Sequence, residues 1–309
     1  MGTPIAVLYG TPITANGSPP VTTTCTPASG SVFNVGVSTV TCTATDALQR
    51  TDSCSFAVTV TAPPMIAVTR LMAFGDSITK GEDGTSLTAS AVSRYTPSQI
   101  LPTPQTYPGV LQTLLSTRYT AQMPTLDNQG CSGEGVTGDD SFCGYSSALA
   151  RFNSFTSTRV YGAVLLMEGT NDLYQQKDSS NIGRTVANLA QMVINARSNG
   201  ARVFLASVPP IDPNGSRGRM YGNQLVPLLN SGIQNVAAGQ GATFVDVNGA
   251  FNNNLALLGP DGLHPSPAGY TLIANTFFTA IKATLETPGS GPVVPTLVQR
   301  LMGPLRRTR

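Results

Sequence analysis

Val68-Thr-Arg-Leu-Met-Ala-Phe74 runs directly into Gly75-Asp76-Ser77-Ile78-Thr79, and this junction decides the fold. The first seven residues form a largely apolar run that reads as a buried strand. The Gly-Asp-Ser that follows reads as a turn at the strand's carboxyl end. The same succession recurs downstream. A helix is expected over 107–119, with Val110, Leu111, Leu114 and Leu115 on one face, and a short strand ends near Leu126. Next come a strand over 160–167, a helix over about 182–198, a strand over 202–208, a helix near 222–238, a strand over 242–247 and a last helix over 267–285. Strands alternating with helices imply a three-layer α/β/α domain with a parallel sheet.

In such sheets ligands collect at the carboxyl ends of the strands, and the candidate chemical residues fall there. Ser77 follows the first strand, Asn128 to Glu134 follow the second, Glu168-Gly-Thr-Asn-Asp172 follow the third, and Asp261 and His264 precede the last helix. His264 is the single histidine of 309 residues. A serine hydroxyl must lose its proton as it attacks, so it needs a base and a group to hold that base. Asp261-Gly-Leu-His264-Pro265 carries one of each. With one imidazole, a histidine-rich metal site is excluded, so no metal is expected. Neither Gly-x-Ser-x-Gly nor a phosphate-binding Gly-x-x-x-x-Gly-Lys loop occurs.

Composition sets the surroundings. Hydrophobic residues make up 40% and charged residues 11%, with a net charge of +2. That balance supplies a core and argues against a nucleic-acid partner. No uninterrupted apolar run reaches ~18 residues, so no integral membrane span is expected. No basic segment and apolar stretch open the chain. If the protein is exported, its signal peptide has been removed.

Residues 1–62 differ in texture. Thr- and Val-rich alternation, as in Val37-Ser-Thr-Val-Thr-Cys-Thr-Ala44 and Ser53-Cys-Ser-Phe-Ala-Val-Thr-Val60, marks half-buried antiparallel strands of a small all-β sandwich. Cys25-Thr-Pro-Ala-Ser-Gly30, Phe33-Asn-Val-Gly36, Thr39-Val-Thr-Cys42-Thr-Ala-Thr-Asp46 and Cys54-Ser-Phe56 follow in order. Over about 20–62 this series resembles a hyalin-repeat (HYR) domain, an immunoglobulin-like extracellular module, and looks truncated at its start. Five cysteines leave one over. The expected pairing is Cys25 with Cys42 and Cys131 with Cys143, the partner of Cys54 lying upstream. The alternative is five reduced, buried cysteines. Residues 63–67, around Ala62-Pro-Pro-Met65, read as a stiff linker. The tail, 287–309, with Arg300, Arg306, Arg307 and Arg309, reads as disordered or as a non-native addition.

Four blocks occur in order: Gly75-Asp-Ser-Ile-Thr79, Asn128-x-Gly130-x-x-Gly133, Gly169-Thr-Asn-Asp172 and Asp261-Gly-Leu-His264-Pro265. Over 68–286 the chain resembles the SGNH (GDSL-type) hydrolases. The resemblance implies Ser77 as nucleophile, His264 as general base and acid, and Asp261 as the group orienting the imidazole. It also implies an oxyanion hole of the Ser77 N–H, the Gly133 N–H and the Asn171 amide, with no cofactor. Gly130 competes with Gly133 for the second position. Asp76, Tyr107, Glu134 and Tyr174 are candidate substrate-binding residues, with Tyr95, Phe142 and Tyr145 as further pocket aromatics.

Plainer readings exist for several of these. Ser77 alone reads as a helix cap, Asp76 and Thr79 as turn-shaping residues, Asp172 as a loop residue. Asp261 alone reads as a cap of the last helix. Glu134 and Arg151 either pair behind the site or lie solvated. The segment 82–105 is expected to form a mobile wall of the pocket, and the Cys131–Cys143 bridge to pin the loop 136–145. The expected function is a secreted, short-chain serine esterase working through an acyl-enzyme on Ser77. A carbohydrate O-acetyl esterase acting on polysaccharide is the alternative. In a different class stands a glycan-binding adhesion protein whose hydrolase domain is degenerate. The expected partners are a small ester or acylated polymer and, for the N-terminal module, carbohydrate or protein.

Overall fold

The computed structural model describes residues 4–86, 98–137, 143–174, 179–216, 220–289 and 294–298. The chain forms two compact units, one of 1–65, 119–121 and 287–309, the other of 66–118 and 122–286.

In the first unit β1 (Ile5–Ala6) pairs antiparallel with β3 (Val32–Phe33). β2 (Thr22–Thr26), β4 (Gly36–Thr45) and β5 (Thr51–Thr61) form an antiparallel sheet. The period-two alternation sends Val40, Cys42, Phe56, Val58 and Val60 inward, where they pack with Val7 and Phe33. Buried Asp46 holds the β4–β5 turn: its carboxylate accepts the backbone N–H groups of Leu48 and Arg50 and pairs with the Arg50 guanidinium at 2.5 Å. Cys25 and Cys42, neighbours in the β2–β4 register, are joined by a disulfide, and Cys54, opposite Cys42 on β5, is a free thiol. Burial, then the charge of Asp52, pushes that thiol up. The tail departs from the expectation of disorder at Val294–Val298, a strand that pairs antiparallel with β5. Its Val-Pro-Thr-Leu-Val sequence is β-prone, and the β5 edge offers it unpaired backbone groups.

The second unit opens with β6 (Arg70–Gly75), α1 (Ser77–Lys80), β7 (Glu82–Ser86), β8 (Ser98–Ile100) and α2 (Tyr107–Arg118). It continues with β9 (Thr125–Gly130), α3 (Ala148–Thr158), β10 (Ala163–Met167), α4 (Thr170–Tyr174) and α5 (Ile182–Ser198). β11 (Arg202–Ala206), α6 (Met220–Gln240), β12 (Thr243–Val245), α7 (Val247–Phe251) and α8 (Pro267–Leu285) complete it. The five-stranded sheet has the order β9-β6-β10-β11-β12 and is parallel throughout. Met72, Phe74, Val164, Leu166, Val203 and Leu205 of its strands face one core shared with α3, α5 and α6. On the other side Tyr107 of α2 stacks on Phe277 of α8 with ring centroids 5.5 Å apart.

This order reverses direction beside β6, which lies between the later strands β9 and β10. A crevice opens at such a switch point, outside the carboxyl ends of the strands. Gly75, the last residue of β6, is flanked in register by Gly130 on one side and Met167 on the other. One expectation needs correcting here. The second strand does not end near Leu126 but runs to Gly130, because register with β6 carries pairing through polar Asp127, Asn128 and Gln129. The wall at 82–105 contains an antiparallel pair, β7 with β8, and a 3-10 turn at Thr103–Gln105. Residues 87–97, with Tyr95, lie outside the described residues.

Candidate active site

Gly75 is required where β6 stops. A Cβ there would overlap Thr79 Oγ1 and the Met167 carbonyl. Asp76 is extended and caps α1, its Oδ1 accepting the Ile78 N–H at 2.8 Å. Gly81, with φ +105, closes the helix after one turn. Ser77 therefore stands at the first helical position, just beyond the end of β6.

His264 Nε2 lies 2.8 Å from Ser77 Oγ, and His264 Nδ1 lies 2.6 Å from Asp261 Oδ2. The other Asp261 oxygen accepts the backbone N–H groups of Leu263 and His264, each at 3.0 Å. Burial alone would raise the Asp261 carboxyl. The His264 hydrogen bond and charge and the two backbone donors outweigh it and hold the group well below the usual carboxylate range. An ionised Asp261 fixes the proton on Nδ1 and leaves the Nε2 lone pair facing the Ser77 hydroxyl. All three side chains are buried.

The loop after β9 separates the two glycines left open by the sequence. The Gly130 N–H is taken by Asn128 Oδ1 at 2.9 Å, and a Cβ at Gly130 would run into the Lys80 backbone. Gly133 adopts φ +74, and a disulfide joins Cys131 to Cys143. Asn171, near the start of α4, donates its amide to the Glu134 carbonyl at 2.9 Å, which orients it. Asp172 accepts from Val136, Thr137 and Thr185 and ties these loops together, in keeping with the loop reading.

Three candidate substrate-binding residues are committed elsewhere. Glu134 is fully buried and pairs with Arg151, whose guanidinium also reaches the carbonyls of Gly75 and Gln129 and covers the Phe74 ring. A buried charge without a partner is costly, so this pair braces the loop from behind and does not face a ligand. Tyr107 is fully buried, with its hydroxyl 3.0 Å from Thr79 Oγ1. Asp76, the residue before Ser77, is buried. The Tyr174 side chain and Phe142 lie outside the described residues, and Tyr145, on the surface, contacts Ser154.

Two acidic residues carried no assigned role in the sequence reading, although Glu168 stood among the residues at the strand ends. Glu168, the residue after β10, is fully buried. Its Oε1 and the Asp76 Oδ2 are the two buried side-chain oxygens without a hydrogen-bond partner among the described residues. Burial pushes Asp76 up to about 7, with the Glu134 and Glu82 charges adding to this and the Ile78 N–H and the His264 charge opposing it. Burial and the charges of Asp76 and Glu134 push Glu168 well above its ordinary range. Glu82, at the start of β7, places Oε2 3.7 Å from His264 Nε2. A carboxylate at the end of an apolar strand was the available signal for Glu168. Glu82 sits in a polar segment and gave none.

Among the described residues no helix is long and apolar enough to cross a membrane, and no cluster of three metal-ligating side chains occurs. Residues 3–60 match the HYR domain and residues 73–272 match the GDSL-like lipase/acylhydrolase family. No curated protein matches the chain. Among solved structures, an aryl esterase of M. smegmatis superposes with a TM-score of 0.55 at 19% identity, covering 70% of this chain and 99% of that one. A carbohydrate acetylesterase from Sinorhizobium meliloti gives 0.55 at 19%, covering 69% and 98%. An acetylxylan esterase from Geobacillus stearothermophilus gives 0.51 at 22%, covering 69% and 94%. At these identities the likeness establishes a common fold. The family match spans the greater part of the chain, from the end of β6 into α8, and by it this chain belongs to the GDSL-like lipase/acylhydrolase family of carboxylic ester hydrolases, preceded by an HYR domain.

Proposed function

We propose that the protein is an extracellular serine esterase that removes short acyl groups, acetyl foremost, from carbohydrate. The observation that carries the chemistry is the line from Ser77 Oγ through His264 to Asp261, at 2.8 and 2.6 Å. In this reading the Ser77 O–H bond breaks as Oγ attacks the ester carbonyl, and the proton passes to Nε2. The imidazolium returns it to the leaving alcohol, which departs and leaves an acyl-enzyme. Water, deprotonated by the same nitrogen, then adds to the acyl carbon, the Oγ–carbon bond breaks, the proton returns from Nε2 to Oγ and the acid departs. The charge on the former carbonyl oxygen is met by the Ser77 and Gly133 N–H groups and the Asn171 amide, donors worth ~3 kcal/mol each when preorganised. The use of Gly130's N–H by Asn128 supports Gly133 for this role.

The acetyl-carbohydrate assignment draws support from the acetylesterases among the structural neighbours. The extracellular setting draws support from the HYR domain and the two disulfides. Catalysis is assigned to 68–286, and 1–62 becomes an accessory module for carbohydrate or protein, joined through 63–67.

Acetate release from acetylated xylan, and hydrolysis of p-nitrophenyl acetate, butyrate and decanoate, test this reading on wild type and Ser77→Ala. A loss of ~10³-fold or more in the variant is expected, with acetate the best of the three synthetic esters. Equal rates in the two proteins remove the nucleophile assignment. Decanoate preferred over acetate removes the acetyl assignment.

A further inference from the structure

The proposed triad engages both ring nitrogens of His264. Asp261 meets Nδ1, and Ser77 meets Nε2. Glu82 also stands on the Nε2 side, 3.7 Å away, from an element that belongs to none of the four sequence blocks. Its side chain is 5% exposed. A buried carboxylate needs donors, and Glu82 has them on both oxygens. Ser98 Oγ of β8 donates to Oε2 at 2.6 Å, and Ser132, in the loop after β9, donates to Oε1. Lys80 Nζ in turn donates to Ser132 Oγ at 3.0 Å. The Glu82 backbone is held as well, its carbonyl accepting the Tyr270 hydroxyl of α8 at 2.5 Å. Two separate segments thus hold the carboxylate, and a third its backbone, at the edge of the ring nitrogen that handles the proton.

We infer that Glu82 is a positioning residue that acts through His264, its carboxylate stabilising the imidazolium formed when Nε2 takes the Ser77 proton. The inference rests on the proposed serine mechanism for its catalytic meaning. In the step concerned the Ser77 O–H bond breaks, the Oγ–carbon bond forms, the carbonyl π pair moves to oxygen and the proton binds Nε2. The ring then carries a full positive charge between Asp261 on the Nδ1 side and Glu82 on the Nε2 side. At 3.7 Å Glu82 is too far for a strong hydrogen bond in the resting state but close enough for a substantial charge interaction. It therefore favours the charged ring without competing for the neutral one. When Nε2 releases its proton to the leaving alcohol, the carboxylate is again a spectator held by Ser98 and Ser132.

Other charges near the ring are common to every variant below. Asp261 lies on its own loop, Asp76 caps α1 and interacts with the His264 charge, and Lys80 stands behind Ser132. Glu134 with Arg151, and Glu168, lie under the nucleophile turn. Neutralising Glu82 alone isolates its contribution.

Because the chain has one histidine, its imidazole can be followed by proton NMR without assignment and without turnover. The test is the histidine titration in wild type, Glu82→Gln and Glu82→Asp, beside kcat/KM for p-nitrophenyl acetate against pH. In Glu82→Gln the titration midpoint is expected to fall by about one pH unit or more, with kcat/KM reduced ~10- to 10²-fold and its acid limb displaced the same way. Glu82→Asp keeps the charge but withdraws it, so its midpoint falls between the other two; this variant carries the test if Glu82→Gln does not fold. A midpoint unmoved by either substitution overturns the proposal. The NMR result stands independently of esterase activity. If wild type shows no Ser77-dependent turnover while the midpoint still shifts, the serine mechanism fails and the electrostatic role survives.

Discussion

Asp76→Asn isolates the energetic cost of keeping a buried carboxyl beside Ser77, the proposed nucleophile. In the folded protein this group is pushed from 3.8 up to about 7, chiefly because it is buried. A raised acid binds its proton more tightly when folded, so the stability it contributes is complete below pH ~4 and disappears as pH rises through about 7. The rise spans roughly three pH units, and at ~1.36 kcal/mol each the loss between pH 4 and 8 is ~4 kcal/mol. Asparagine keeps the Oδ1 that caps the Ile78 N–H and removes the ionisation. Urea unfolding of both proteins at half-unit steps from pH 4 to 8 is the assay. Wild type minus variant is expected to decline by several kcal/mol, most steeply between pH 5 and 7. Part of that decline belongs to Glu168, whose carboxyl Asp76 helps to raise. A difference flat to within ~1 kcal/mol would falsify the account, because burial of two unpartnered oxygens demands a proton held near them.

Two further substitutions probe the supports of the site. Gly84 has φ +78, and a Cβ there would press on Asp261 Oδ1, so Gly84→Ala should displace the carboxylate and lower kcat/KM ~10²-fold with KM little changed, as measured on p-nitrophenyl acetate. Retained activity would show that Asp261 tolerates the push. Arg151→Met strands Glu134 in the interior and should cost ~3–5 kcal/mol in urea unfolding. Arg151→Met with Glu134→Gln should recover much of that loss, and no recovery would mean that Arg151 acts through Phe74 and the carbonyls instead.

The parallel sheet was legible because its strands are apolar runs that end in turn residues, and the last helix because Ser266 caps it and Pro267 occupies its first turn. The cores of the other long helices, α2, α5 and α6, could likewise be read from their apolar faces. α3 was not, since Phe152, its large buried apolar residue, stands among Ser, Thr and Asn. β7 and β8 hid in a polar segment, their pairing being long-range and unaccompanied by alternation of apolar residues. Ser77, Asp261 and His264 could be named as the proposed triad because four blocks in order resemble those of the SGNH hydrolases. Glu82 could not. A carboxylate in a Ser/Thr-rich stretch looks solvated until the fold brings Ser98 and Ser132 to it. For Glu134 the sequence offered both a ligand contact and a pair with Arg151 behind the site, and the structure shows the pair, with Arg151 of α3 donating to its carboxylate.

Ser77 and His264 meet across 187 positions of chain. Between them lie all the parallel strands that follow β6, so the two side chains are brought to 2.8 Å only when the far end of the chain has docked. Contacts of such separation carry a large loop-closure entropy and form late unless something local draws the ends together. Recovery of ester hydrolysis during refolding therefore reports completion of the α/β unit, and is expected to trail the return of helical circular dichroism.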